Sequence, residues 1–157
     1  MTGRSLYFRF VDSGAQGRVQ LYEDGAPATC AAIWGALARP VRIPAMHAMF
    51  AGPEIMLGLP PEARGFDPRG LPAENQTCFP APGDCLWFYQ AKNLMKGLAD
   101  ELWEIGMFYA EGGRIFGPLG WTPCNIFGRM VEGLDGFAAQ CQRIRLDGVK
   151  LVEIGRM

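Results

Sequence analysis

From Ser5 to Val11 hydrophobic and polar side chains alternate. Leu6, Phe8 and Phe10 share one side, Tyr7 and Arg9 the other. This period of two predicts a strand with one buried face. Asp12 to Gly17 reads as a turn, and Arg18 to Tyr22 as the returning hairpin strand. The pattern then changes to helical spacing. Pro27 opens a stretch whose apolar residues Cys30, Ile33, Trp34 and Leu37 form one stripe, which predicts a helix over Pro27 to Ala38, stopped by Arg39-Pro40. Further strands are predicted over Val41 to Phe50, Glu54 to Leu59, Gln76 to Phe79, Cys85 to Tyr89 and Leu102 to Ala110. Pro44 inside the first of these predicts a bulge or an edge position. Pro60 to Ala73 is a long loop rich in proline and glycine, and loops of that length tend to be functional or mobile. Gln90 to Asp100 is a second loop, and Glu111 to Arg114 a hairpin turn.

The last third is organised around Ile126 to Val131, apolar at nearly every position. So short a run reads as a strand buried on both sides or lining a barrel. Glu132-Gly133 breaks it. Asp135 is placed to cap a helix over Gly136 to Arg145, where Phe137, Cys141 and Ile144 recur at helical spacing and Arg145 suits the negative end of the dipole. Val149 to Ile154 is the closing strand.

Composition narrows the class. A chain of 157 residues with 49% hydrophobic and 20% charged residues reads as one domain, 1–157, with a sizeable core. Its 21 glycines and 12 prolines fit many turns between short strands. A net charge of −1 with scattered basic residues argues against nucleic acid or an anionic membrane as partner. No apolar run approaches the roughly 20 residues of a membrane helix, and no signal-peptide core opens the chain. Five cysteines without a Cys-x-x-Cys pair suggest reduced thiols and a cytoplasmic location. One histidine and no paired thiols argue against a metal site, and no phosphate-cradling glycine motif or serine elbow is present, so no cofactor is expected.

Two segments carry a resemblance. Phe127-Gly-Arg-Met-Val-Glu-Gly-Leu134 followed by a helix, and Gly17 to Pro27 leading into Ala28-Thr-Cys-Ala-Ala-Ile-Trp34, resemble the cyclophilin barrel. The remainder is similar to a family of uncharacterised bacterial cyclophilin-like proteins, domain-of-unknown-function family 3830, through His47-Ala48, Gly52-x-Glu54, Glu74-Asn-Gln-Thr77, Pro80-x-Pro-Gly-Asp84 and the strand around Glu104. The resemblance covers nearly the whole chain. It implies a mainly β protein, a closed barrel of about eight strands with two capping α-helices. It does not carry a function with it.

The candidate chemistry is sparse. His47 lies in an apolar strand and is either a core histidine held by a hydrogen bond or a proton-transfer group. In the cyclophilin layout its strand borders the ligand groove. Glu104 sits within a strand beside Trp103 and Ile105, so it points either to solvent or into a pocket that raises its pKa. Glu74 follows the long loop, with Asn75 and Gln76 as amides able to orient a polar ligand. We take His47, Glu104 and Glu74 as candidate catalytic groups facing one concave region, with the Pro60 to Ala73 loop near its mouth. Glu54, Asn75, Tyr109, Trp121 and Phe127 are candidate ligand contacts; Trp121 falls where the cyclophilin groove also has a tryptophan.

The resemblance also implies prolyl isomerase activity, but the strand that carries Phe-His-Arg in cyclophilins reads Met46-His47-Ala48-Met49 here. The arginine that would polarise the prolyl amide is missing, so no isomerase activity is expected. Two readings remain. One is a barrel that binds a small molecule in its groove, as an enzyme of amide, imide or carboxylate metabolism. The other is a non-catalytic binding or assembly module. The nine aromatic side chains from Trp87 to Phe127 exceed what a small barrel easily buries, which favours a homo-oligomer.

Overall fold

The structure is a computed structural model that describes residues 3–157. Eleven strands and two α-helices follow the chain: β1 (Ser5–Phe10), β2 (Gln16–Leu21), α1 (Pro27–Ala36), β3 (Val41–His47), β4 (Glu54–Gly58), β5 (Gln76–Thr77), β6 (Asp84–Gln90), β7 (Leu102–Phe108), β8 (Phe116–Gly117), β9 (Gly120–Trp121), β10 (Cys124–Glu132), α2 (Leu134–Asp147) and β11 (Lys150–Arg156). The sheet order is β2-β1-β11-β3-β4-β7-β6-β10, and β2 pairs back onto β10. Eight strands thus close an antiparallel barrel, which leaves no long open edge. The short β5 adds to β10, and β8 with β9 forms a separate hairpin.

Alternation decides what fills the barrel. Leu6, Phe8 and Phe10 of β1, Ile43 and Ala45 of β3, Ile55 and Leu57 of β4, and Ile105 and Met107 of β7 all point inward and are buried. The helices close opposite ends. Phe137 of α2 packs on Phe10, with ring centroids 4.7 Å apart. At the other end of β1, Leu6 pairs with Arg156, whose guanidinium donates to the Trp34 carbonyl of α1. The loop between β4 and β5 also belongs to this second end, since Phe66 packs edge-on against Trp103, with centroids 5.2 Å apart, and against Trp87. A second, smaller core lies on the outer face, where Ile115 and Cys124 cover Leu86, Phe108, Ala51 and Ile126.

Several boundaries differ from the sequence expectation. Helix α1 ends at Ala36, not Ala38, because Leu37 and Ala38 close the last turn with bonds to Ile33 and Gly35. Helix α2 begins at Leu134, not Gly136. Gly133 adopts φ +76 at the corner and no side chain caps the helix, so Asp135 sits in the first turn, where its charge suits the dipole. A β-carbon on Gly133 would meet the Gln16 carbonyl oxygen at 2.2 Å, which explains the Glu-Gly corner. The far end extends to Asp147 through an i,i+4 pair with Arg143. Strand β3 is neither bulged nor an edge: it pairs with β11 and with β4. Its register with β4 starts only at Ala45, so the donor that Pro44 lacks stands just outside that ladder.

Candidate functional site

The outer face of β4, β7 and β6 carries a cavity of about 260 Å³. The register builds it. Glu54 pairs with Phe108, Met56 with Gly106 and Gly58 with Glu104. On the other side of β7, Gly106 pairs with Leu86, Glu104 with Phe88 and Leu102 with Gln90. Side chains at every second position share a face, so Glu54, Met56, Leu102, Glu104, Leu86, Phe88 and Gln90 all emerge outward together. Ala48, Ala51 and the segment from Ile115 to Cys124 complete the walls.

Gly106 makes room for the carboxylate of Glu54. A β-carbon there would lie 2.2 Å from Glu54 Oε1 and 2.9 Å from Leu86 Cγ. A glycine inside a strand marks such a close approach. Glu54 is only 8% exposed. Burial pushes its carboxyl up from the ordinary 4.5 to about 8, and the nearby charge of Glu104 adds to the effect. Burial raises Glu104 as well. Cys124 lines the same cavity, and burial beside Glu54 lifts its thiol to about 12, so it is an inert thiol. Among the described residues no lysine, arginine or histidine lines the cavity. Gln90, at 4% exposure, has an amide nitrogen without a hydrogen-bond partner.

The proposed trio does not converge. His47 points to the barrel interior, opposite Ile55 in register, with its ring between the Ala48 carbonyl (2.8 Å) and the Tyr109 hydroxyl (2.7 Å). Tyr109 is part of the inner core. Glu104 emerges on the other side of the same sheet. Glu74 serves helix α1: Oε1 accepts from the Thr29 amide at 2.8 Å and the Thr29 hydroxyl at 3.0 Å, and Oε2 from the Ala28 amide at 3.3 Å.

Of the expected ligand contacts, Glu54 alone lines the outer cavity. Asn75 holds the Ile126 carbonyl at 2.8 Å and borders a different depression, whose Arg129 and Asp84 already pair with each other at 2.8 Å. Phe127 is fully buried in the barrel. Trp121 stands beside the cavity, its ring against Phe79 and Phe116. The Pro60 to Ala73 loop closes the barrel end and not this cavity. Gln90 and Gly106 escaped the sequence reading; a glycine in the middle of a strand was the available signal for the second.

Residues 10–155 match the family described as "Protein of unknown function (DUF3830)". The chain belongs to this family. No functionally curated protein shows significant similarity to this DUF3830 member. Solved structures share its fold. McbB, whose structure was determined in complex with tryptophan, superposes with a TM-score of 0.66 at 16% identity, over 96% of this chain and 44% of McbB. The DUF3830 chain thus spans less than half of that protein's length. The hypothetical protein AF2241 from Archaeoglobus fulgidus gives a TM-score of 0.55 at 22% identity, covering 99% of this chain and 95% of AF2241. The Mimivirus cyclophilin gives 0.52 at 12%, covering 99% and 88%. The barrel is cyclophilin-like. No helix among the described residues is long and apolar enough to cross a membrane.

Proposed function

We propose that this protein binds a small molecule in the outer-face cavity over β4, β7 and β6. The observation that carries the reading is an apolar cavity holding two carboxyl groups and one amide nitrogen without a partner. Predominantly apolar walls with a few placed polar groups are the usual composition of a ligand site. The volume, about 260 Å³, falls just below the roughly 300–1,000 Å³ usual for drug-sized ligands and suits a small metabolite. McbB, 44% of which superposes on this barrel, was solved in complex with tryptophan, a small-molecule precedent for a protein that contains the fold. A carboxyl kept protonated by burial beside a second carboxyl is also the pattern of a general acid next to a general base. If the protein is an enzyme, an amide or imide fits better than a carboxylate, for which the cavity offers no cationic partner. Ala48 brings no donor to the cavity, so prolyl isomerisation is not part of this reading.

The test is occlusion. Met56 lines the cavity and is half-buried, so Met56→Trp should fill it without disturbing the inner core. In a thermal-shift screen of small metabolites we expect stabilisation of the native protein and none of the variant. Equal shifts in both proteins would move binding elsewhere.

A second reading, association between copies, rests on Phe79, Leu119, Phe116 and Trp121, which are exposed in one cluster beside the cavity. Sedimentation should then show a dimer or larger assembly at micromolar concentration, shifted to monomer by Phe79→Ser with Trp121→Ser. A wild-type monomer would remove this reading.

A further inference from the structure

We propose that the outer-face cavity recognises a small apolar molecule carrying a protonated amine next to a neutral carbonyl, the ammonium held by the carboxyl groups of Glu54 and Glu104 and the carbonyl oxygen by the amide of Gln90. The proposal rests on the reading of this cavity as a small-molecule site and adds the chemistry of the occupant.

Glu54 and Glu104 emerge on one outer face, and no cationic side chain among the described residues lines the cavity with them. Buried carboxylates elsewhere in this protein have partners: Asp84 pairs with Arg129, and Glu153 with Arg9 and Arg42. The cavity pair has none, so burial keeps a proton there; an ammonium ligand would lower the carboxyl pKa, release that proton to solvent and pair with the carboxylate left behind. An anionic ligand would find no cationic side chain in the cavity to pair with.

The amide is independent of the charges. Gln90 is 4% exposed, lines the cavity and leaves Nε2 unpaired. Buried polar groups in native proteins nearly always have a partner, and leaving one unpaired is costly. A ligand acceptor would supply it. Gln90 stands opposite Leu102, and Glu104 lies two residues further along the same face of β7, so the two are diagonal neighbours. Such neighbours lie roughly 7–8 Å apart at the backbone. Both side chains line the cavity, so a ligand with a donor and an acceptor on adjacent carbons can address the two together. Met56, Leu86, Phe88 and Ile115 supply apolar contact for the rest of the molecule.

Four probes separate these contributions by isothermal titration, at about pH 6 so that an α-amino group of pKa roughly 7.7 is protonated. L-Phenylalaninamide has amine and carbonyl, 3-phenylpropionamide lacks the amine, phenethylamine lacks the carbonyl, and L-phenylalanine carries a carboxylate. We expect L-phenylalaninamide to bind at least about tenfold more tightly than each of the others. Glu104→Gln should erase its advantage over 3-phenylpropionamide, and Gln90→Leu its advantage over phenethylamine. The wild-type comparison alone decides the matter if a variant fails to fold. Equal binding of L-phenylalaninamide and 3-phenylpropionamide, both lost in Met56→Trp, would overturn the amine assignment and leave the cavity a ligand site. Absence of binding by all four probes overturns the amine–carbonyl assignment, while the occlusion screen judges the cavity independently.

Discussion

Glu74→Ala should lower the melting temperature by about 5–10 °C while leaving any ligand response of the outer cavity unchanged. The reason lies in how α1 begins. Ala26 precedes the helix and offers no side-chain acceptor, and Pro27 follows it. The first amides of a helix have no partner within it. Glu74, on a segment more than forty positions away, supplies the acceptor for Ala28 and Thr29. Its backbone amide in turn donates to Asn125 Oδ1 at 3.2 Å, and Asn125 Nδ2 donates to the Thr29 hydroxyl at 2.9 Å. Thr29 and Asn125 are both buried, so alanine at position 74 would strand donors away from water. Losing a helix cap costs up to about 2 kcal/mol and a stranded buried donor about 1 kcal/mol more, and about 1 kcal/mol shifts a domain of this size by roughly 2–4 °C. Glu74→Gln keeps an acceptor and should cost less than half as much. Calorimetry of the two variants decides: an unchanged melting temperature in Glu74→Ala would show that the glutamate is not a structural cap.

Glu54→Gln should change how stability depends on pH. The native carboxyl titrates at about 8 instead of the ordinary 4.5, with Glu104 and Cys124 as the titratable neighbours around the cavity. Between those values the native state keeps a proton that the unfolded chain has lost. The stabilising contribution is therefore complete below about 4.5 and is lost as pH rises towards 8, at up to about 1.4 kcal/mol per pH unit. Glu104, also raised, acts with the same sign. Glu153, whose hydrogen bonds from Arg42 and Tyr7 hold its carboxyl low, acts in the opposite sense and at lower pH, where stability is lost as it protonates. Glutamine resembles the protonated acid and does not ionise. Near pH 5 the variant should melt within about 2 °C of the native protein, and near pH 8.5 about 10 °C or more above it. Parallel curves of melting temperature against pH for the two proteins would place the Glu54 carboxyl in water.

Local pattern carried the architecture a long way. The alternation in Ser5–Phe10 and Leu102–Phe108 already separates two faces, and the inner set found there is the inner set of the barrel. The apolar strand, glycine corner and short helix from Ile126 onward are likewise local, because strand period, a left-handed glycine and helical spacing are properties of neighbouring residues. The site was different. Alternation placed Glu104 opposite Trp103 but could not say which strands would flank it, since register comes from partners distant in sequence. Only the pairing of Gly58 with Glu104 and of Glu54 with Phe108 puts two carboxyls on one outer face. Only the same closure turns His47 inward to Tyr109, away from them. Glu74 read as a candidate catalytic acid for the same reason: the helix it caps lies near in space and far along the chain. Residue types and their periods determined that this chain forms strands, two helices and an apolar interior. Tertiary contacts decided which polar groups meet, because a carboxyl is defined chemically by its neighbours, and those are brought by other strands.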